Sequence, residues 1–325
     1  MLAIVFAYDS AEPAELSIRS DRVREITQLI WDAKFDTAID SCHQLVQEEP
    51  ANPLVYFLLG IAYYSINNQY RNDKYSDSAG RYLDSAIVRA GAGIEKEKDQ
   101  ADMYFVLGSA YGCRALYRTI HSGWWGAFRD GHHSCDNLEK AYDLDSSFTD
   151  ALSGMGAYHY WKSAKAKVLN WLPFVADRRK QGIAEIQKAV KAGGTMAPSA
   201  NKSLLAIYFN EGRNEEVVAL ADSLASQNLL DPNSQLHKAR ALIALKRWED
   251  AGRALAEVLT QYEKSNYNDE CGAYEVVYLK AKILMGQGDL AGAREYVRQI
   301  MAADTTCKAN GYFKQSLMSS KELLK

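Results

Sequence analysis

The residues of widest chemical range are gathered in the middle of this chain. Cys113, His121, His132, His133 and Cys135 fall within one short stretch, and mixed imidazole and thiolate ligands suit a zinc ion. A zinc motif owes its strength to regular spacing, however, and neither CxxC nor HxxxH occurs there. Buried cysteines and surface histidines account for the same residues, so the sequence is read as holding no metal. Cys42 and Cys135 both fall at buried-type helical positions. His159 lies among small and apolar residues, which predicts a core ring whose nitrogens are met by tyrosine or backbone. Gly91 and Gly93 close a helical pattern and follow no strand, so they make no phosphate loop. There is no GxSxG, and the acidic residues form no evident catalytic pair. The sequence thus points to no catalytic residue, no cofactor and no enzyme.

What must position these groups is a set of helices. Leu152, Met155, Gly156 and His159 are spaced three and four apart and share one helical face. Pro173 interrupts the pattern, and Ile183, Ile186, Ala189 and Val190 resume it. Two amphipathic helices joined by a corner make a hairpin, which cannot bury its apolar face alone. The same pattern recurs through Tyr56, Leu59, Gly60 and Tyr63, then Tyr104, Leu107, Gly108 and Tyr111. Later copies carry Leu204, Tyr208 and Ala221, then Ala239, Leu242 and Ala251, then Ala281, Leu284 and Ala293. An earlier one carries Phe35, Ala38, Cys42 and Leu45.

This recurrence resembles the tetratricopeptide repeat, a helix hairpin of about 34 residues. In that family small residues let two backbones approach and large ones fill the gaps between them. The resemblance implies an all-α, right-handed α-solenoid of about seven hairpins, ending in a capping helix near Tyr312–Leu324. It divides the chain into an N-terminal segment 1–18, repeats at 19–100, elongated repeats at 101–194, repeats at 195–307 and a cap at 308–325. The segment Leu169–Val190, LNWLPFVADRRKQGIAEIQKAV, also resembles an inclusion-body-clearance branch of the family.

Gly60, Gly108 and Gly156 recur at a spacing of 48 residues, longer than the family unit. The excess predicts extended central hairpins whose tips carry Trp124 and Trp125 in one, and Trp171 and Phe174 in the next. Around the second tip Lys162, Lys165, Lys167, Arg178, Arg179 and Lys180 face the single acid Asp177. Trp171, Phe174, Arg178 and Arg179 are therefore a candidate docking tip for a membrane surface or an acidic partner. The competing reading is that the two aromatics cap their own hairpin while the charges stay solvated.

In the family, fixed positions of the first helices line a concave groove. Carried over, they give Phe57, Ile61 and Tyr64, then Asp102, Phe105 and Ser109, then Asp150, Ser153, Tyr160 and Trp161, and finally Lys202, Phe209, Asn210, Arg240, Tyr278 and Lys282. The resemblance implies a protein-interaction scaffold that takes a partner peptide or helix in this groove. Core packing is the other reading of its aromatics. The alternative function is a carrier of an apolar small molecule or lipid in a closed aromatic pocket between the long hairpins. The Lys and Asn pattern by which relatives bind chaperone C-termini is not reproduced. A net charge of −3 gives no sign of a nucleic-acid partner. No apolar run is long enough to span a bilayer. MLAIVFAY at residues 1–8 resembles the apolar part of a secretory signal without its basic start. That reading predicts a periplasmic or otherwise extracytoplasmic protein; a terminus packed on the first hairpin of a cytoplasmic one is the alternative.

Overall fold

The computed structural model describes residues 16–98, 100–121, 123–165, 176–229 and 231–322, and among these every regular element is helical. Seven antiparallel hairpins follow in order. They are α1 (Asp21–Trp31) with α2 (Phe35–Glu48), α3 (Pro53–Tyr70) with α4 (Ser76–Lys96), α5 (Ala101–His121) with α6 (Trp124–Leu144) and α7 (Ala151–Lys165) with α8 (Arg179–Ala192). After them come α9 (Ala197–Asn210) with α10 (Asn214–Ser226), α11 (Pro232–Ala244) with α12 (Trp248–Glu263) and α13 (Glu270–Gln287) with α14 (Leu290–Ala302). A single turn, α15 (Thr305–Ala309), leads into α16 (Gly311–Glu322). The chain is an all-α solenoid of helix hairpins.

Local chemistry sets the helix starts. Ser20, Asn52, Asp231 and Asp269 each accept from a backbone N–H in the first turn of the helix they precede. Pro53 and Pro232 occupy first-turn positions, where the missing N–H costs nothing. Second helices bury one stripe: in α2 it is Phe35, Ala38, Cys42 and Leu45. First helices are enclosed on more sides, and α3 is packed against α1, α4, α5 and α11.

The glycine spacing read from the sequence marks helix crossings. A Cβ on Gly108 would lie 2.7 Å from Leu138 Cγ and 2.9 Å from the Ser134 carbonyl. Gly156 faces Gly182 backbone to backbone, and a methyl on either one would strike the other's carbonyl oxygen. The third hairpin is long, with 21 residues in each of α5 and α6, whereas the described helices of the fourth have 15 and 14 residues and its tip lies outside the described residues. The extra length begins earlier, though, because α4 also has 21 residues. At the tip of the third hairpin Trp124 stacks on Trp125 at 4.2 Å, and both are exposed. Trp171 and Phe174 lie outside the described residues, as does segment 1–15.

Three features add to or correct the sequence reading. Cys271 and Cys307 are joined by a disulfide between α13 and α15, inside a small cluster with Ile300, Ala303 and Phe313. His159 is buried as expected, but its Nδ1 meets the Glu185 carboxylate at 2.8 Å, and neither tyrosine nor backbone. Helix α16 is more than an end cap, because it packs on α13, α14 and α5 and so reaches back to the third hairpin.

The array also turns back on itself. The end of α3 meets the start of α11, and Gly272 at the start of α13 sits so close to the Tyr70 carbonyl that no side chain fits between them. Asn72 donates to the Tyr267 carbonyl at 2.8 Å, Asn310 to the Arg71 carbonyl at 3.0 Å, and Gly311 N–H to Asp73 at 2.7 Å. On the other side, residues 16–20 cross the starts of several first helices. Asn52 donates to the Leu16 carbonyl at 3.1 Å, Thr195 to the Ile18 carbonyl at 3.3 Å, and Arg19 pairs with Asp145 at 2.8 Å. Hairpin two therefore touches hairpins six and seven, and a long open groove gives way to a ring of helices.

Candidate functional site

The closed ring leaves an open pocket of about 580 Å³. Asn68 and Arg71 reach it from the end of α3, Trp161 from α7, Phe209 and Asn210 from α9, and Asn233, His237 and Arg240 from α11.

Arg71 is its fixed point. It ends α3 with φ 54°, the left-handed conformation, which stops the helix and turns the side chain across to α11. Its Nε donates to Glu275 at 2.8 Å, and its Nη1 to the backbone and side-chain oxygens of Asn68 at 2.8 and 2.9 Å. Its Nη2 donates to the side-chain oxygen of Asn233. A guanidinium engaged on every arm is held rigidly in the plane of its partners.

Glu275 also pairs with Arg240, so one carboxylate serves two guanidinium groups. Burial and the charge of Arg71 bring the pKa of Arg240 down to about 9, which leaves it charged at neutral pH. The pocket thus carries one positive charge more than negative. His237 stands beside Arg240. Burial, then the charges of Arg240 and Arg71, push its pKa down to about 3 and keep it neutral. Its Nδ1 is buried with no hydrogen-bond partner among the described residues, a group that a ligand can satisfy. Next to the pocket, Asp231 caps α11 and pairs with Lys202. Burial alone would raise the pKa of Asp231, but Lys202 outweighs it and the carboxyl is held low.

Of the residues predicted to line a groove, Trp161, Phe209 and Arg240 do line this pocket, and Asn210 joins them. Phe57, Phe105 and Tyr160 are fully enclosed in the core and present no ring to a partner, in line with the packing alternative. The Tyr160 hydroxyl donates to Glu211 at 2.7 Å and accepts from Asn210 at 2.6 Å. Burial pushes the Tyr64 hydroxyl pKa well up. Lys202 is turned to Asp231, with its ammonium 5.1 Å from the Trp31 ring. Lys282 lies 5.9 Å from the Tyr278 ring on α13, away from the pocket wall. At the fourth hairpin, Arg179 pairs with Asp177 at 2.7 Å and with Glu211 at 3.1 Å, while Arg178 lies 3.4 Å from His159. The sequence reading missed Asn68, Arg71, Asn233, His237 and Glu275. Their one local signal is the polar run Asn67-Asn68-Gln69 ahead of Arg71, which breaks the apolar pattern of α3.

No family model matches the chain, and no curated protein does. Several solved tetratricopeptide-repeat structures are similar to it. A tetratricopeptide repeat protein from Parabacteroides merdae ATCC 43184 is 13% identical, with 94% of this chain and 98% of that one covered at a TM-score of 0.45. TTC0263, a thermophilic repeat protein of Thermus thermophilus, is 17% identical over 68% of this chain and 97% of its own, with a TM-score of 0.45. YrrB, described as a repeat protein with an unusual peptide-binding site, is 14% identical over 72% and 97%, with a TM-score of 0.43. The repeat fold is carried by the seven hairpins among the described residues. The likeness to the inclusion-body-clearance branch finds no counterpart among these three.

Proposed function

We propose that the chain is a non-enzymatic scaffold that recognises a protein partner, and that the Arg71–Arg240 pocket takes a carboxylate-bearing stretch of peptide. The observation that carries this is the sharing of the single Glu275 carboxylate by two guanidinium groups, with Trp161 and Phe209 as walls. A second carboxylate entering there meets an Arg240 whose charge is only half compensated, in surroundings where charge-assisted hydrogen bonds are strong. Aromatic walls supply the anchoring area in which binding energy concentrates. The lining includes no serine, cysteine or paired base that would act on what is bound. An apolar carrier is less well served, because Asn68, Arg71, Asn210, Asn233, His237 and Arg240 would face an apolar ligand without returning its contacts.

The test is fluorescence polarisation with a library of labelled hexapeptides of acidic, neutral and basic composition. Acidic members are expected to bind at least tenfold more tightly, with the preference weakening as salt rises and disappearing in Trp161→Ala and Arg240→Gln. Equal binding across the library, or acidic binding untouched by both variants, would overturn the assignment. An extracytoplasmic location is proposed with it. The Cys271–Cys307 bond suits an oxidising compartment, and a thiol count on protein taken directly from cell fractions checks it.

A further inference from the structure

Outside the pocket, α6 and α7 bring together a second set of chemically capable groups. Cys135 and Glu139 stand four apart on α6 and share one face, and His159 reaches them from α7. Cys135 Sγ lies 3.8 Å from His159 Nε2 and 3.5 Å from Glu139 Oε1, and that carboxylate oxygen lies 3.6 Å from Nε2. A tetrahedral zinc ion at about 2.3 Å from sulfur and about 2.1 Å from nitrogen and oxygen requires edges of roughly 3.6, 3.6 and 3.4 Å. Each observed edge lies within roughly 0.3 Å of that triangle.

The surroundings orient the same three atoms. His159 Nδ1 is 2.8 Å from Glu185 Oε2 on α8, and Glu185 is itself held by Gln181 at 2.8 Å. A carboxylate accepting from Nδ1–H fixes the tautomer and leaves the Nε2 lone pair facing Cys135 and Glu139. Cys135 and His159 are buried, while the Glu139 side chain is 45% exposed and gives an entry path. Arg178 Nη1 lies 3.4 Å from Nε2 on an exposed residue, and that side chain must swing away as an ion enters.

We propose that Cys135, Glu139 and His159 form a Zn²⁺ site with one open coordination position, oriented by Glu185 and linking the third and fourth hairpins. Of the residues weighed for zinc in the sequence, only Cys135 takes part. A Cys–His–Glu row is also the arrangement of a nucleophile, its base and an orienting group. Burial first, then the Glu139 carboxylate, pushes the Cys135 thiol up, against what an activated thiolate needs. A metal ion displaces that proton outright.

The experiment uses the full chain, dialysed against chelator and titrated with Co²⁺ as an optical probe, then with Zn²⁺. One equivalent of Co²⁺ is expected to produce a near-ultraviolet thiolate-to-metal band that Zn²⁺ bleaches, and Zn²⁺ is expected to raise the melting temperature. Cys135→Ser should lose the band. Glu139→Gln, at a half-exposed position that tolerates change, should weaken Zn²⁺ binding at least tenfold, and Glu185→Gln by about 10- to 100-fold. A His132→Ala, His133→Ala variant should keep the band, which separates this site from surface histidines. No binding, a cobalt spectrum without the thiolate band, or a folded Glu139→Gln protein with wild-type Zn²⁺ affinity would each overturn the site.

Discussion

Arg71 and Asn233 stand 162 residues apart in the chain, and the guanidinium of one donates to the amide oxygen of the other. In an extended repeat array each hairpin meets only its neighbours. A bond between the second hairpin and the sixth means that this array has closed, and that its first helices enclose a pocket where an open array would present a groove. Closure makes stability less of a sum over neighbours and more the property of one body, with Arg71 at the join.

Arg71→Ala tests that role. The change leaves Glu275 with Arg240 alone and leaves Asn233 without its donor. Breaking a buried ion pair from one side costs about 3–5 kcal/mol, and the retained Arg240 contact favours the lower figure. Denaturant unfolding should show a lower midpoint, and small-angle scattering an increased radius of gyration as hairpins two and six part. An unchanged radius with unchanged stability would show that α3 and α11 stay together without Arg71.

Gly156→Ala should cost about 1–3 kcal/mol, because the added methyl meets the Gly182 carbonyl and neither backbone can retreat without opening the hairpin. Gly80→Ala in α4 is the matched control. Its Cβ meets nothing within 4 Å, so alanine there should stabilise by about 0.5–1 kcal/mol. Thermal melts of the two variants should move in opposite directions.

The hairpins were legible because their signal is local and repeated. Gly108 and Gly156 fall where a helix must pass close to its partner, and the spacing of the large residues follows from that need. Lining was harder to read. Phe57 and Phe105 occupy positions that face a groove in an open array, yet both are buried here: Phe57 because α3 is wrapped by α11 as well as by its own hairpin partner, and Phe105, on α5, because it stacks on Phe148 with ring centroids 5.4 Å apart. Trp161, Phe209 and Arg240 line the pocket instead. Arg71 and Glu275 were hard to read for the same reason that they matter: a contact between distant hairpins leaves no periodic trace, and only the polar run ahead of Arg71 marks the place. The Cys271–Cys307 pairing likewise joins residues of unrelated local pattern, in a chain with five cysteines and no CxxC.

That disulfide spans 36 residues and ties α13 to the turn before α16. Removing a cross-link of this separation costs about 4 kcal/mol in the chain-entropy account. A Cys271→Ser, Cys307→Ser protein should therefore unfold at lower denaturant. Hydrogen exchange should rise first in α15 and α16, which pack on the cluster around the bond. Equal protection there with and without the bond would mean that Phe313 and its neighbours hold the C-terminal helix alone.

His237 is neutral in the folded protein, with a pKa of about 3 set by burial and by Arg240 and Arg71, against the opposing charge of Asp231. In the unfolded chain an imidazole titrates near about 6.5. Between those values the unfolded state binds the extra proton, so stability rises with pH across the window and is lost as pH falls below about 6.5. The slope from this one group is at most about 1.4 kcal/mol per pH unit. His237→Gln keeps a polar side chain but removes the titration. Carboxylates add their own slope in acid, so the quantity to read is the difference between the two proteins from about pH 6.5 to about pH 5. Over that interval the wild type should lose up to about 2 kcal/mol more than the variant. Parallel denaturant midpoints would show that His237 gains its proton in the folded state as readily as in the unfolded one, and that the pocket is wetter around its ring than its burial implies.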